Sequence, residues 1–320
     1  MHAYFANDVY DVLPIGLKKL LIDDKGLMRM LAQSTDPFVF YNLPLKKGEK
    51  IRDFQHYFHT NKSQEFFINL VNYIKYNDYY QNSEVMAFLY GFISHYVLDS
   101  TIHPFIIYKT GVFDKSNEDT FKYQGGHTLM ENFLDNYLIK QREHITPYEF
   151  KFYDFCFDFT KFSKELVEVI NYAFKETFNF DNFGTYYQKA LKDMYFYLKY
   201  FRYDKFGIKM KIYKGVDKLT KPSTFKLQTI SYYTPLKDDK NYLNNNHTLW
   251  YNPVSKKDKH KESFVELYSI SLFKTKNIIR DVNSYLKGNE KINLKKVFDN
   301  SSYLTGKNCN NKNIMKYFEY

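Results

Sequence analysis

The segment from Ser83 to Pro104 constrains this chain most. Ser83 reads as a helix N-cap and Glu84 suits the first turn. Val85, Met86, Phe88, Leu89, Phe92, Ile93, Tyr96, Val97 and Ile102 then follow, apolar on most sides of a helix. A helix with no polar face has to be central, wrapped by others. Pro104 is expected to end it or kink it. The same helix carries His95, Asp99 and His103, each four residues from the last. That spacing projects all three from one side. Polar groups buried without partners are costly, so something must satisfy them.

A second predicted helix, over about 126–141, repeats the device with His127 and Glu131. Imidazole and carboxylate one turn apart suit Zn²⁺, and helical metal bundles draw such ligands from facing helices. Either pair alone would read as a hydrogen-bonded or surface pair. Together, with one set inside an apolar helix, they point to a metal centre. Haem fits less well, because there is no Cys-x-x-Cys-His and the carboxylates suit harder cations. Cys156 and Cys309 are the only cysteines, too few for a disulfide framework or a cysteine-rich metal site.

The rest of the first 215 residues also reads as helical, with few Gly and Pro. Helices are predicted near 8–21, 63–76, 163–179 and 186–203. Residues 216–262 are less regular and are expected to form a long loop, with a short strand pair around 224–233. Residues 263–286 return to helix and a tail follows. The expectation is an all-α, multi-helix domain over 1–215, with a C-terminal loop region and helix over 216–320 packing on it. No run of about 18 apolar residues exists, so no transmembrane span is expected. The N-terminus lacks the pattern of a secretory signal.

Lysine and arginine number 46 against 36 acids, a net charge of +10, yet only five are arginine. Tyr (32) and Phe (31) are abundant. The Lys, Asn, Tyr and Phe excess matches the translation of an AT-rich bacterial genome, so the charge by itself says little about partners.

The assembled pattern resembles the zinc-dependent phospholipase C family, whose all-helical trinuclear-zinc fold is shared with fungal single-strand nucleases. The resemblance rests on His2 near the start, Asp36 before Pro37, and the His56/His59 segment ahead of Phe66 and Phe67. It also rests on His95, Asp99 and His103-Pro104, and on His127 with Glu131. It covers roughly residues 2–180. The tail Ser301–Gly306 is similar to that of intracellular bacterial relatives. The resemblance implies one zinc held by Asp36, His59, His95 and Asp99, a second sharing Asp99 and taking His2, and a third on His103, His127 and Glu131. His59 is preferred to His56. Secreted members use an N-terminal Trp where this chain has Met1, so two or three ions are expected.

The implied function is a metal-dependent hydrolase of phosphodiesters, phospholipase C-like, with a metal-activated water that Asp36 orients or deprotonates. Tyr4, Phe5, Phe38 and Tyr57 are expected to line the way in. A single-strand nuclease or nucleotidase of the same fold is one alternative. A non-enzymatic helical protein with a structural or degenerate metal site is the other. The expected partner is a phospholipid or other phosphodiester, with transient membrane-surface contact. Nucleic acid is less favoured, and no obligate protein partner is evident. The expected location is cytoplasmic, peripheral to the inner membrane face.

Overall fold

The computed structural model describes residues 1–159, 162–220, 226–234 and 237–319. Helices α1 (His2–Val12), α2 (Ile15–Leu20) and α3 (Lys25–Leu31) precede a 3₁₀ turn, Asp36–Phe40. Helices α4 (Glu49–Thr60), α5 (Ser63–Tyr76), α6 (Ser83–Thr110), α7 (Gly126–Glu143) and α8 (Phe152–Cys156) follow. Then come α9 (Lys164–Phe178), α10 (Phe183–Tyr197) and α11 (Ile208–Asp217). An antiparallel hairpin pairs β1 (Trp250–Asn252) with β2 (Ser255–His260), and α12 (Phe264–Leu286) and α13 (Leu294–Val297) close the chain. The fold is all-α, with one small two-stranded sheet among the described residues.

Helix α6 is the axis. Its cap is Asn82, one residue earlier than expected, whose side chain accepts from the Val85 N–H. Length and composition alone would let α6 cross a membrane, but its side chains are nearly all buried inside the protein. Helices α1, α3, α7, α9 and α12 all pack on it. Pro104 does not end it; six more residues follow, up to Gly111 at φ 67°. The proline removes a backbone donor near Ser100. At that point the C-terminal tail crosses the helix, and a Cβ on Gly306 (φ 62°) would lie 2.5 Å from the Ser100 carbonyl. The expected helix over 8–21 is instead two helices, because Pro14 supplies no N–H to continue α1.

The C-terminal part is tied to this bundle. Asn132 and Asn136, one turn apart on α7 and fully buried, donate to the carbonyls of Thr229, Ser231, Tyr232 and Thr234. Those amides satisfy backbone that neither helix nor sheet would pair. The strand pair expected at 224–233 is absent among the described residues there; Leu227–Thr229 is a 3₁₀ turn, and 224–225 lie outside them. The hairpin forms later because Trp250, 2% exposed, packs on Phe105 and Tyr108 of α6. A Ser263–Glu266 capping box starts α12. Phe298 stacks on Phe67 at 4.7 Å, anchoring the tail.

One close approach sets the position of the site. A Cβ on Gly91 would meet Ala32 N and Met28 O, both backbone, at 3.0 Å. Only glycine lets α3 lie this near to α6. One turn along, His95 Nδ1 then reaches the Ala32 carbonyl at 2.9 Å. Gly91→Ala should therefore destabilise by about 1–3 kcal/mol through overpacking. Gly16→Ala, on exposed α2 with open space around it, should be neutral or slightly stabilising. Thermal melts of the two variants check this; equal midpoints would contradict it.

Candidate metal centre

Five elements converge on Asp99. Helix α6 supplies His95, Asp99 and His103 from one face. The first turn of α1 supplies His2, whose ring stacks on His95 at 4.2 Å. The last turn of α4 supplies His59, 2% exposed, while His56 on the same helix points outward. Asp36 opens the 3₁₀ turn, with Pro37 fixing the φ of its second residue. The first turns of α7 bring His127 and Glu131 to the far end.

Three groups of donors result: His2, His95 and Asp99; Asp36, His59 and His95; and His103, His127 and Glu131. All eight residues singled out in the sequence are thus brought together. Asp99 Oδ1 lies 3.4 Å from His2 Nε2, while Oδ2 lies 2.9 Å from His95 Nε2 and 3.9 Å from His59 Nε2. His59 Nε2 is 3.6 Å from Asp36 Oδ1 and 3.2 Å from His95 Nε2. Glu131 Oε1 is 3.2 Å from His127 Nε2 and 3.5 Å from His103 Nε2. Two ligands on a tetrahedral zinc stand about 3.3 Å apart, so these spacings suit that ion.

The unsatisfied atoms point the same way. Both Asp99 oxygens, His2 Nδ1 and His103 Nε2 are buried with no hydrogen-bond partner. Such groups are rare in native proteins and call for a cation or water. The other ring nitrogens are held from behind. His95 Nδ1 meets the Ala32 carbonyl, His103 Nδ1 meets the Tyr303 carbonyl at 3.1 Å, and His59 Nδ1 meets the Gln55 amide at 2.5 Å. The carbonyls behind His95 and His103 accept from Nδ1–H and so leave those two Nε2 atoms turned into the site.

Electrostatics sort the donors. Burial pushes His2 and His59 well down, so both stay neutral. Burial also pushes Asp36 up to about 6. It opposes charge on Asp99 as well, but His103, His95 and His2 around it hold its carboxyl well below the usual range. Glu131 is held low against burial by His127 and then His103. His103 is raised to about 9 against burial, because Asp99 and Glu131 face it. His95 is raised as well, against burial, by Asp99 and Asp36; buried anions whose imidazole neighbours hold protons that a divalent cation would displace form a receptor for such a cation.

A cavity of about 130 Å³ opens beside this cluster, with His2, Asp36 and Glu131 in its wall. Phe150, Phe152, Phe155 and Tyr232 make much of the remainder, with Tyr4 the one expected aromatic that borders it. Phe5 and Phe38 are instead fully buried in the core, and Tyr57 packs outward on Phe178. A larger groove of about 640 Å³, lined by Tyr73, Glu168 and Asn182, contains none of the eight residues. His144 and His247 are exposed, whereas His260 is half-buried, stacked on Trp250 at 4.3 Å.

The sequence reading missed the supports. Gln55 precedes His59 by one helical turn, a signal that could have found it. Tyr303 had no signal beyond the likeness of its Ser301–Gly306 stretch to relatives, since it reaches His59 and His103 from 200 residues away or more: its N–H donates to the His59 carbonyl at 2.9 Å and its ring lies 4.7 Å from the His59 ring. Asp135, which pairs with the Met1 amino group, was equally silent.

This fold and this site together define a helical protein whose buried imidazoles and carboxylates suit clustered zinc. The family model described as zinc dependent phospholipase C matches residues 1–180, more than half of the chain, and the chain belongs to that family. No curated protein and no solved structure matches it.

The geometry separates Asp99 from His127. Asp99 turns Oδ1 toward His2 and Oδ2 toward His95 and His59, whereas His127 serves one group at the rim. A carboxylate placed between two cations offsets their repulsion; an asparagine has its shape without its charge. Asp99→Asn should lose most of the zinc from two positions, and His127→Ala should empty one. Metal content per chain by mass spectrometry checks this. Equal retention in the two variants would contradict it.

Proposed function

We propose that the chain is a zinc-dependent, phospholipase C-like hydrolase of phosphodiesters. Asp36, His59, His95 and Asp99 would hold one ion, Asp99 and His2 a second, and His103, His127 and Glu131 a third. The observation that carries this reading is the placement of the donor cluster at the wall of a cavity. A structural zinc site is closed by its protein ligands and usually favours cysteine, whereas this one borders open space and contains none. When bound, zinc supplies acidity to water and positive charge to phosphoryl oxygens.

The chain's own residues do the rest. Asp36 is far less buried than Asp99, with 29% of its side chain exposed against 1%. The Gln55 amide donates to its Oδ1 at 3.1 Å and fixes its orientation. From there Asp36 takes a proton from the attacking water and passes it to the departing alcohol as the phosphorus–oxygen bond breaks. The aromatic wall excludes water around the phosphodiester. A space of about 130 Å³ suits a headgroup-sized substituent and is too small for two acyl chains.

The zinc-loaded protein should hydrolyse a synthetic phosphorylcholine ester, and a chelator should stop it. Asp36→Asn should lower kcat by about 10²–10⁴-fold, as for loss of a general base. Substantial turnover in stringently demetallated protein, or full activity in Asp36→Asn, would contradict the reading. So would full zinc occupancy without turnover on lipid, nucleotide and synthetic diesters alike.

A further inference from the structure

Eight of the 23 large apolar side chains exposed among the described residues fall between 196 and 219. On α11, Ile208 and Ile212 are each 57% exposed, one turn apart; Val216 continues their line and Leu219 follows at 89%. Met210 and Asp217, on the opposite side of the helix, are buried. The apolar stripe of α11 thus faces away from the core, the reverse of what an ordinary surface helix does. Phe196, Tyr200, Phe201 and Phe206 extend the patch over the preceding turns.

The charge around this patch is mostly of one sign, with Lys205 paired to Glu149 at 3.3 Å. The segment holds seven Lys and Arg against two acids, and both acids are turned inward. Asp204 accepts from the N–H groups of Lys209 and Met210 and from Ser231, and Asp217 accepts from those of Leu227 and Gln228. Lys205, Lys211, Lys214 and Lys218 remain exposed. An outward apolar stripe flanked by lysines is the pattern of a helix lying in a membrane interface, and its complement is an anionic lipid surface.

The patch is continuous with the site. The α10 residue Met194 and the π-helical turn Leu198–Arg202 line the catalytic cavity with Met194, Leu198 and Arg202. Phe196, Tyr200 and Phe201 project outward from the same turns. We infer that residues 196–219 form a docking surface for anionic phospholipid bilayers, seating the cavity over a lipid headgroup. This deepens the proposed hydrolase reading and rests on it for the lipid substrate, though not for the binding. It also suits the cavity's size: the headgroup enters while the acyl chains stay in the bilayer. A nucleic-acid surface fits less well, because aliphatic Ile208 and Ile212 offer no stacking plane and the segment's one arginine, Arg202, faces inward to Asn132 and the Ile230 carbonyl.

The test is flotation of the full-length, zinc-loaded protein with vesicles of phosphatidylcholine, with and without phosphatidylglycerol. Wild type should bind the anionic vesicles, less so at high salt. The Ile208→Glu/Ile212→Glu variant should bind at least about tenfold more weakly through loss of apolar insertion. Lys211→Glu/Lys214→Glu/Lys218→Glu should lose about tenfold or more on anionic vesicles only. Both variants should keep wild-type circular dichroism and wild-type kcat/KM on the soluble phosphorylcholine ester, while their turnover of vesicle lipid falls with binding. Wild type failing to float, or the isoleucine variant floating as well as wild type, would overturn the inference. So would binding that depends on these residues but selects single-stranded DNA or a second copy of the chain over vesicles. Vesicle binding without hydrolysis of any ester would leave the docking surface standing and remove the catalytic reading alone.

Discussion

A carboxylate in the middle of the most apolar helix is the constraint on which the rest depends. Asp99 is 1% exposed, and neither oxygen has a hydrogen-bond partner in the protein. A buried carboxylate is tolerated only when opposite charge or donors surround it. Three imidazoles of α6 and α1 hold it ionised. Those imidazoles then need fixed orientations, which come from a carbonyl of α3's C-terminal end and a carbonyl of the distant tail. Gly91 permits the first approach and Gly306 the second. The packing of the whole bundle can be read outward from one charge and the groups that must stand around it.

How much of this was legible follows from how local each signal is. His95, Asp99 and His103 were readable together because four-residue spacing places them on one helical face whatever the rest of the chain does. His127 and Glu131 were readable for the same reason. The union of the two sets with Asp36, His59 and His2 came from the family resemblance, since no local rule joins residues of α1, α4 and a 3₁₀ turn. Pro104 misled because the local rule counts the lost hydrogen bond but not the tail that packs beside Ser100. The hairpin was misplaced because its position is set by Trp250 on α6, a contact spanning some 145 residues, and not by strand propensity in its lysine-rich second strand. Tyr303 and the carbonyl of Ala32 act through backbone atoms, which carry no sequence signature.

The site and the surface of α11 share a logic. Around Asp99, buried polarity without partners marks a space for cations. Between 196 and 219, apolar side chains turned away from the core form the face proposed to meet lipid. Each departs from what folding alone would select, and function is where such departures are expected.

The account's central claim is that Asp99 stands between two ions within a cluster of three donor groups. Anomalous diffraction at the zinc absorption edge, on crystals grown with zinc, tests this most directly. The account predicts peaks among Asp36, His59, His95 and Asp99, between Asp99 and His2, and among His103, His127 and Glu131, with one Asp99 oxygen directed to each of the first two. Zinc bound away from these groups, or a single peak that leaves either Asp99 oxygen without a metal, would contradict it.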